Sequence, residues 1–272
     1  MGGGMSAVLA LVKGLFEHGL IQVPTTKSGR FHRTQLINLS RHGIRNPISP
    51  DSWNENMNIA AYNPEDYSSL PSLSAAFQQL QHKGGESIIT GPIRDIFLSH
   101  GAQDAYGIAL LHKHFDIRPT DRLVDIQNVS SPWETGGDIE PVLKKYHGVI
   151  MPRSLRFSNG MLKPYEFDFV EEERSMNMDE NFLEKLLQFL QHSELDQVLG
   201  LRVLDSRDPG ASIEVTERNS NIMIPLGAID EANVIPAMWD FGPEEDQRCH
   251  CSEYCYTDNK GKHSGQGNHG CG

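Results

Sequence analysis

Twelve histidines and four cysteines are spread unevenly along this chain. Cys249, Cys251, Cys255, His263, His269 and Cys271, with His250 among them, place seven soft or borderline metal ligands within 23 residues. Zinc and copper favour thiolate and imidazole, so this segment reads as a candidate site for either ion. Its spacing is not that of a zinc finger, which sets about a dozen residues between its cysteine and histidine pairs. Two disulfides are the alternative if the protein is exported.

His100, His112 and His114 form a second candidate metal set, with Asp104 and Asp116 close in sequence. If the chain is extended there, His112 and His114 lie on one face and can chelate an ion together. If it is helical, they diverge by about 200° and cannot. An open position on such a metal would activate water, with Asp104 or Asp116 as the base. The structural alternative is that these histidines cap a helix end.

A third place is Arg41-His42-Gly43-Ile44-Arg45-Asn46-Pro47, after a short apolar run over 35–39. A histidine between two arginines can attack phosphorus while the guanidinium groups neutralise the phosphoryl oxygens. The heptapeptide resembles the Arg-His-Gly-x-Arg-x-Pro signature of the histidine acid phosphatases. The resemblance implies His42 as nucleophile and Arg41 and Arg45 as the phosphate clamp. That family also uses a later His-Asp or His-Glu pair as proton donor, and this sequence has neither. Ser99-His100-Gly101 is similar to the Ser-His-Gly of the smaller mutase-like branch, but comes only 58 residues after His42.

A longer resemblance runs over residues 85–272. His100-Gly101, Tyr106-Gly107, Leu110-Leu111-His112-Lys113-His114-Phe115, Ile213-Glu214-Val215-Thr216-Glu217, Asn221-Ile222-Met223-Ile224 and Ala237-Met238-Trp239-Asp240-Phe241 carry it, with the Cys/His-rich end. These segments resemble a family of uncharacterised filamentous-fungal proteins. The resemblance implies no activity and no catalytic residue.

The elements that must position these residues follow from periodicity. Ser69 or Ser72 can cap a helix running to about Lys83, with Leu73, Phe77 and Leu80 on one face. Residues 87–90 and 93–98 read as short strands, 102–111 as a helix, 122–126 as a strand and 138–146 as a helix. The strongest helix runs from Asp179 to a Gly200 stop, with Phe182, Leu186 and Leu190 among its apolar positions. The period then changes to two, giving strands over 201–204, 212–216, 221–225 and 234–241. The expected fold is α+β: mixed helices and short strands followed by a C-terminal antiparallel sheet. One globular domain is expected over 1–242 and a disordered Cys/His-rich tail over 243–272, where aliphatic residues almost vanish.

Composition bounds the function. The chain has 272 residues, 38% of them hydrophobic, and a mean hydropathy of −0.43. No run approaches the ~18–20 apolar residues of a membrane helix, so a membrane partner is not expected. The apolar run over 7–16 is interrupted by Lys13 and reads as an amphipathic helix rather than a secretory leader, which makes the cytoplasm the expected compartment. A net charge of −12 repels phosphate backbones and argues against nucleic acid. No Gly-rich phosphate loop is present. The leading expectation is a metal-binding protein holding zinc or copper. The alternatives are a phosphohydrolase acting through His42 and a non-catalytic interaction module.

Overall fold

In the computed structural model the described residues are 59–135, 148–171, 173, 176, 178–204, 212–225, 234–242 and 249–257, with backbone alone at 249 and 250. All belong to the second of the chain's two units, Trp53–Gly272. The expected elements at 7–16, 35–39 and 138–146 lie outside them.

Ten strands close into a barrel: β1 (Tyr106–Leu110), β2 (Asp121–Ile126), β3 (Val129–Glu134), β4 (Val149–Ser158), β5 (Met161–Val170), β6 (Leu199–Val203), β7 (Ser212–Glu217), β8 (Ser220–Pro225), β9 (Val234–Phe241) and β10 (Cys249–Tyr256). Around the barrel the order is β1-β6-β4-β5-β2-β3-β8-β7-β10-β9, with β9 returning to β1. The pairings β2/β5 and β7/β10 are parallel and the others antiparallel. This closed barrel replaces the expected α+β arrangement of helices followed by a C-terminal sheet.

Two hairpins show how local sequence builds it. Ser158-Asn159-Gly160-Met161 joins β4 to β5, with Asn159 and Gly160 at φ 53° and 75°. Gln127 and Asn128 join β2 to β3 at φ 53° and 71°. Both are two-residue turns with positive φ at each central position, which matches the right-handed twist of the flanking strands.

The helices are α1 (Pro64–Ser68), α2 (Leu73–His82), α3 (Gly85–Ile88), a π turn (Ile89–Ile93), α4 (Arg94–Ser99) and α5 (Glu180–His192). Ser72 caps α2 through the Ala75 amide and Asp179 caps α5 through that of Asn181. Residues 87–90 and 93–98, expected as strands, are helical because Ile89, Ile93 and Phe97 recur every fourth residue and bury one face. No helix among the described residues is long and apolar enough to cross a membrane.

The main apolar core lies between the barrel wall and this helical layer. Tyr106, Ile108 and Leu110 of β1, Leu199, Leu201 and Val203 of β6, and Trp239 and Phe241 of β9 meet Phe97, Phe182, Leu186 and Leu190. Their opposite neighbours face the lumen. Residues 102–111, expected as a helix, contain β1 because a continuous apolar run carries no period and pairing on both edges decides it.

Gly200, expected to end the long helix, sits inside β6 instead. The helix ends at His192, where Glu194 turns the chain at φ 55°. A Cβ on Gly200 would lie 2.4 Å from the Leu155 carbonyl oxygen and 2.7 Å from Leu111 Cδ2. A backbone carbonyl in a paired strand has little room to yield. Gly200→Ala is expected to cost about 1–3 kcal/mol, read as a lower urea midpoint at unchanged m-value.

The strand Cys249–Tyr256 overturns the expectation of a disordered tail over this stretch. It pairs with β9 on one edge and β7 on the other and so closes the barrel. Its lack of aliphatic residues fits that role, because its inward positions face a polar lumen.

Candidate functional site

The inward face of the barrel is charged. Strand alternation sends Asp125, Arg153, Glu166, Asp168, Arg202, Glu214 and Glu253 to the side opposite the apolar core. Their contacts show that this side is the lumen. Arg153 on β4 reaches Glu253 on β10 at 3.5 Å, and these strands are not neighbours. Arg202 on β6 meets the same carboxylate at 2.7 Å. Only a path through the interior allows either contact.

A shift of register in the β4/β5 pairing turns both Arg153 and Ser154 inward. Arg153 then pairs with Asp125 at 2.9 Å and Asp168 at 3.5 Å. The Ser154 hydroxyl donates to Glu166 at 2.6 Å and accepts from Arg202 at 2.8 Å. Asp125 also accepts from Ser130 at 3.0 Å. One polar chain thus spans the lumen.

His114 stands at the centre of the electrostatics. Its Nε2 lies 2.8 Å from Glu166 and its Nδ1 2.6 Å from Glu214, both carboxylates. A ring facing an acceptor on each nitrogen must carry both protons. Burial opposes that charge, but Glu214 and Glu166 outweigh it and hold the His114 pKa up to about 10. Glu166 shows the reciprocal effect: burial pushes it up, and the His114 and Arg202 cations bring it down to about 2. The pair is therefore a fixed imidazolium–carboxylate unit across the ordinary pH range.

His112 is its neighbour, with ring centroids 4.7 Å apart. His112 Nδ1 lies 2.8 Å from the Leu110 carbonyl, which can only accept, so this nitrogen carries the proton. Nε2 then faces the Cys255 thiol at 3.4 Å. Burial pushes that thiol well above its usual range, and Glu214, Glu253 and Glu166 push it the same way. A cysteine so placed is a hydrogen-bond donor and not a thiolate nucleophile. Tyr67, on α1, closes the lumen beside this pair: its hydroxyl donates to the Phe115 carbonyl at 3.1 Å and accepts from the His114 amide at 3.2 Å.

The residues singled out by sequence divide into three groups. His112, His114 and Cys255 come together in the lumen. The strand ends at Leu110 and the chain bends at His114, with a lone bridge at Lys113 between, yet the two rings lie side by side, and both are already engaged. His100 lies apart at the end of α4 and pairs with Asp179 at 3.3 Å. Cys251 packs against the apolar core, and burial raises its pKa to about 12. Cys249 is placed in β10 by its backbone. Arg41, His42, Arg45, His263, His269 and Cys271 lie outside the described residues. Asp116 pairs with Lys113 at 2.7 Å and is exposed. Among the described residues, no group of three or more His, Cys, Asp or Glu is arranged to hold a metal.

Sequence reading missed Glu166, Glu214, Arg202, Glu253, Arg153, Asp125 and Asp168. A signal was present. Glu166-Phe167-Asp168-Phe169 and Ile213-Glu214-Val215-Thr216 alternate strictly between polar and apolar residues. The polar half of such a strand is ordinarily given to solvent.

Fold and site together define a closed β-barrel with a buried, ionised lumen. Comparison with family models, curated proteins and solved structures finds no match.

Proposed function

We propose that the protein binds a small molecule in its barrel lumen and that the ligand is a compact organic cation. The observation that carries this reading is the charged lumen itself. An eight-stranded barrel can be filled by side chains alone, and ten strands enclose more space. Burying an ion costs several kcal/mol unless partners compensate it, so a barrel with nothing to bind is better filled with aliphatic residues. Among the described residues, five carboxylates (Asp125, Asp168, Glu166, Glu214, Glu253) face three cations (Arg153, Arg202, His114), a formal surplus of negative charge.

A second observation supports a polar ligand. Asn221 is 1% exposed and faces the lumen from β8, beside Ser130 and Thr216. Its Oδ1 accepts from Thr216 at 2.8 Å, but its Nδ2 has no partner among the described residues. A buried donor left unmade is costly, and a ligand oxygen would satisfy it. The ligand is therefore a small amine or guanidine that also presents an oxygen acceptor.

The test is calorimetry and thermal unfolding of the full chain with ethanolamine, glycinamide and argininamide, against sodium chloride at equal ionic strength. Saturable binding is expected for at least one cation, with stabilisation of about 2.7 kcal/mol at a hundredfold excess over Kd. Asn221→Leu is expected to keep the fold and weaken that binding at least tenfold. Absence of binding by all three cations overturns the reading.

Two further proposals rest on residues that lie, apart from Cys249, outside the described barrel. Zinc or copper binding by Cys249, His263, His269 and Cys271 predicts about one metal equivalent in elemental analysis of untagged protein. That metal should be lost when residues 258–272 are removed, which leaves β10 in place. Phosphoryl transfer by His42 predicts phosphate release from an aryl phosphate, abolished in His42→Ala.

A further inference from the structure

Arg122 is buried on the outer face of β2, at 7% exposure, and makes no hydrogen bond or ion pair with any described residue. Its Nε is sealed from solvent with no acceptor among the described residues. Buried arginines are normally paired, because a desolvated guanidinium with no counter-ion is costly. In a chain with 36 acidic residues against 24 basic ones, a buried cation without a carboxylate is the more unusual.

What surrounds it is aromatic. The guanidinium lies 5.3 Å from the Phe167 ring centroid. Trp133 is its direct cross-strand partner on β3. Tyr62 meets Phe167 edge-on at 5.1 Å, and Trp133 meets Phe169 at 5.9 Å. Tyr62 is held in place by donating its hydroxyl to the Asp121 carbonyl at 2.8 Å. Tyr62, Trp133 and Phe169 are only half-buried, so the edge of this aromatic wall meets solvent.

We propose that Arg122 and the rings of Tyr62, Trp133 and Phe167 form a binding site for a small carboxylate with a flat aromatic body. The guanidinium supplies a planar, always-charged fork that matches a carboxylate. The rings supply faces and edges for the body. The lowered Arg122 pKa, near 10 and caused by burial, agrees with an uncompensated cation, yet it stays charged at neutral pH. This site is on the outer wall and is independent of the lumen.

The experiment titrates the full chain with benzoate, acetate, benzyl alcohol and inorganic phosphate, followed by tryptophan fluorescence and calorimetry. Benzoate is expected to bind saturably, acetate more weakly and benzyl alcohol not at all. Arg122→Gln is expected to lose benzoate binding at least tenfold while its Tm stays level or rises, because an unpaired buried cation has been removed. Trp133→Leu is a second variant, expected to weaken benzoate and leave acetate unchanged. No benzoate binding, binding unchanged in Arg122→Gln, or phosphate binding tighter than benzoate each overturn the proposal. So does a large fall of Tm in Arg122→Gln, since that assigns the guanidinium to the fold alone.

Discussion

His114→Ala is expected to destabilise the protein by about 3–5 kcal/mol in urea unfolding, because it removes the cation held between two buried carboxylates. Glu166 and Glu214 each face a ring nitrogen of His114 at 2.8 and 2.6 Å, and both are almost wholly buried. Removing the cation between them sets the two carboxylates against each other, with Arg202 still beside Glu166. Glu166→Gln combined with His114→Ala should cost less than the two single changes together, which a double-mutant cycle reads directly.

The same unit sets the pH dependence. The folded His114 pKa is raised from 6.5 to about 10, so its contribution is complete below pH 6.5 and is lost as pH rises toward 10. The folded Glu166 pKa is lowered from 4.5 to about 2, so its contribution is complete above pH 4.5 and is lost as pH falls toward 2. Stability from this pair is therefore expected to be greatest between about pH 4.5 and 6.5. In His114→Ala the alkaline decline should be shallower than in the parent. An equal slope in both proteins would remove His114 as its cause.

Phe182→Ala is expected to lose about 3–5 kcal/mol, the usual range for a buried phenylalanine. Phe182 is 1% exposed and joins three elements of the helical layer and barrel wall. It packs edge-on against Phe97 at 4.9 Å and stacks near Tyr106 at 6.3 Å. His100 lies 6.0 Å away, and its bond to Asp179 holds α4 beside the start of α5. Phe182→Leu should recover much of the loss. If the alanine variant unfolds as the parent does, α5 is not packed on the barrel in this way.

Much of the local structure was legible in the sequence. Ser72 and Asp179 announce their helices because a short polar side chain before an apolar period of 3.6 satisfies free amides at a helix start. The strand over Val234–Phe241 and the strands near Ser212 and Asn221 follow from alternation and are found where expected. The β4–β5 hairpin is equally legible through Asn159-Gly160, a dipeptide suited to positive φ.

The barrel, the lumen and the fate of the cysteines were decided only by tertiary structure. Whether Tyr106–Leu110 is strand or helix depends on two partners, β6 and β9, that lie about a hundred residues away or more. Glu166, Glu214 and Arg202 look like solvent-facing residues because alternation states which residues share a face and not what that face meets. Closure makes that face a buried interior and converts ordinary surface charges into a paired network. Cys255 shows the limit most plainly. Its neighbours Cys249 and Cys251 suggest a thiolate cluster by spacing, but the strand it occupies turns it toward His112, 143 residues earlier in the chain. Sequence therefore determined the caps, the turns and the alternating strands, since these depend on neighbours a few residues away. Which surface each strand buries, and which charges meet inside, depends on closing the sheet, and no local pattern encodes that.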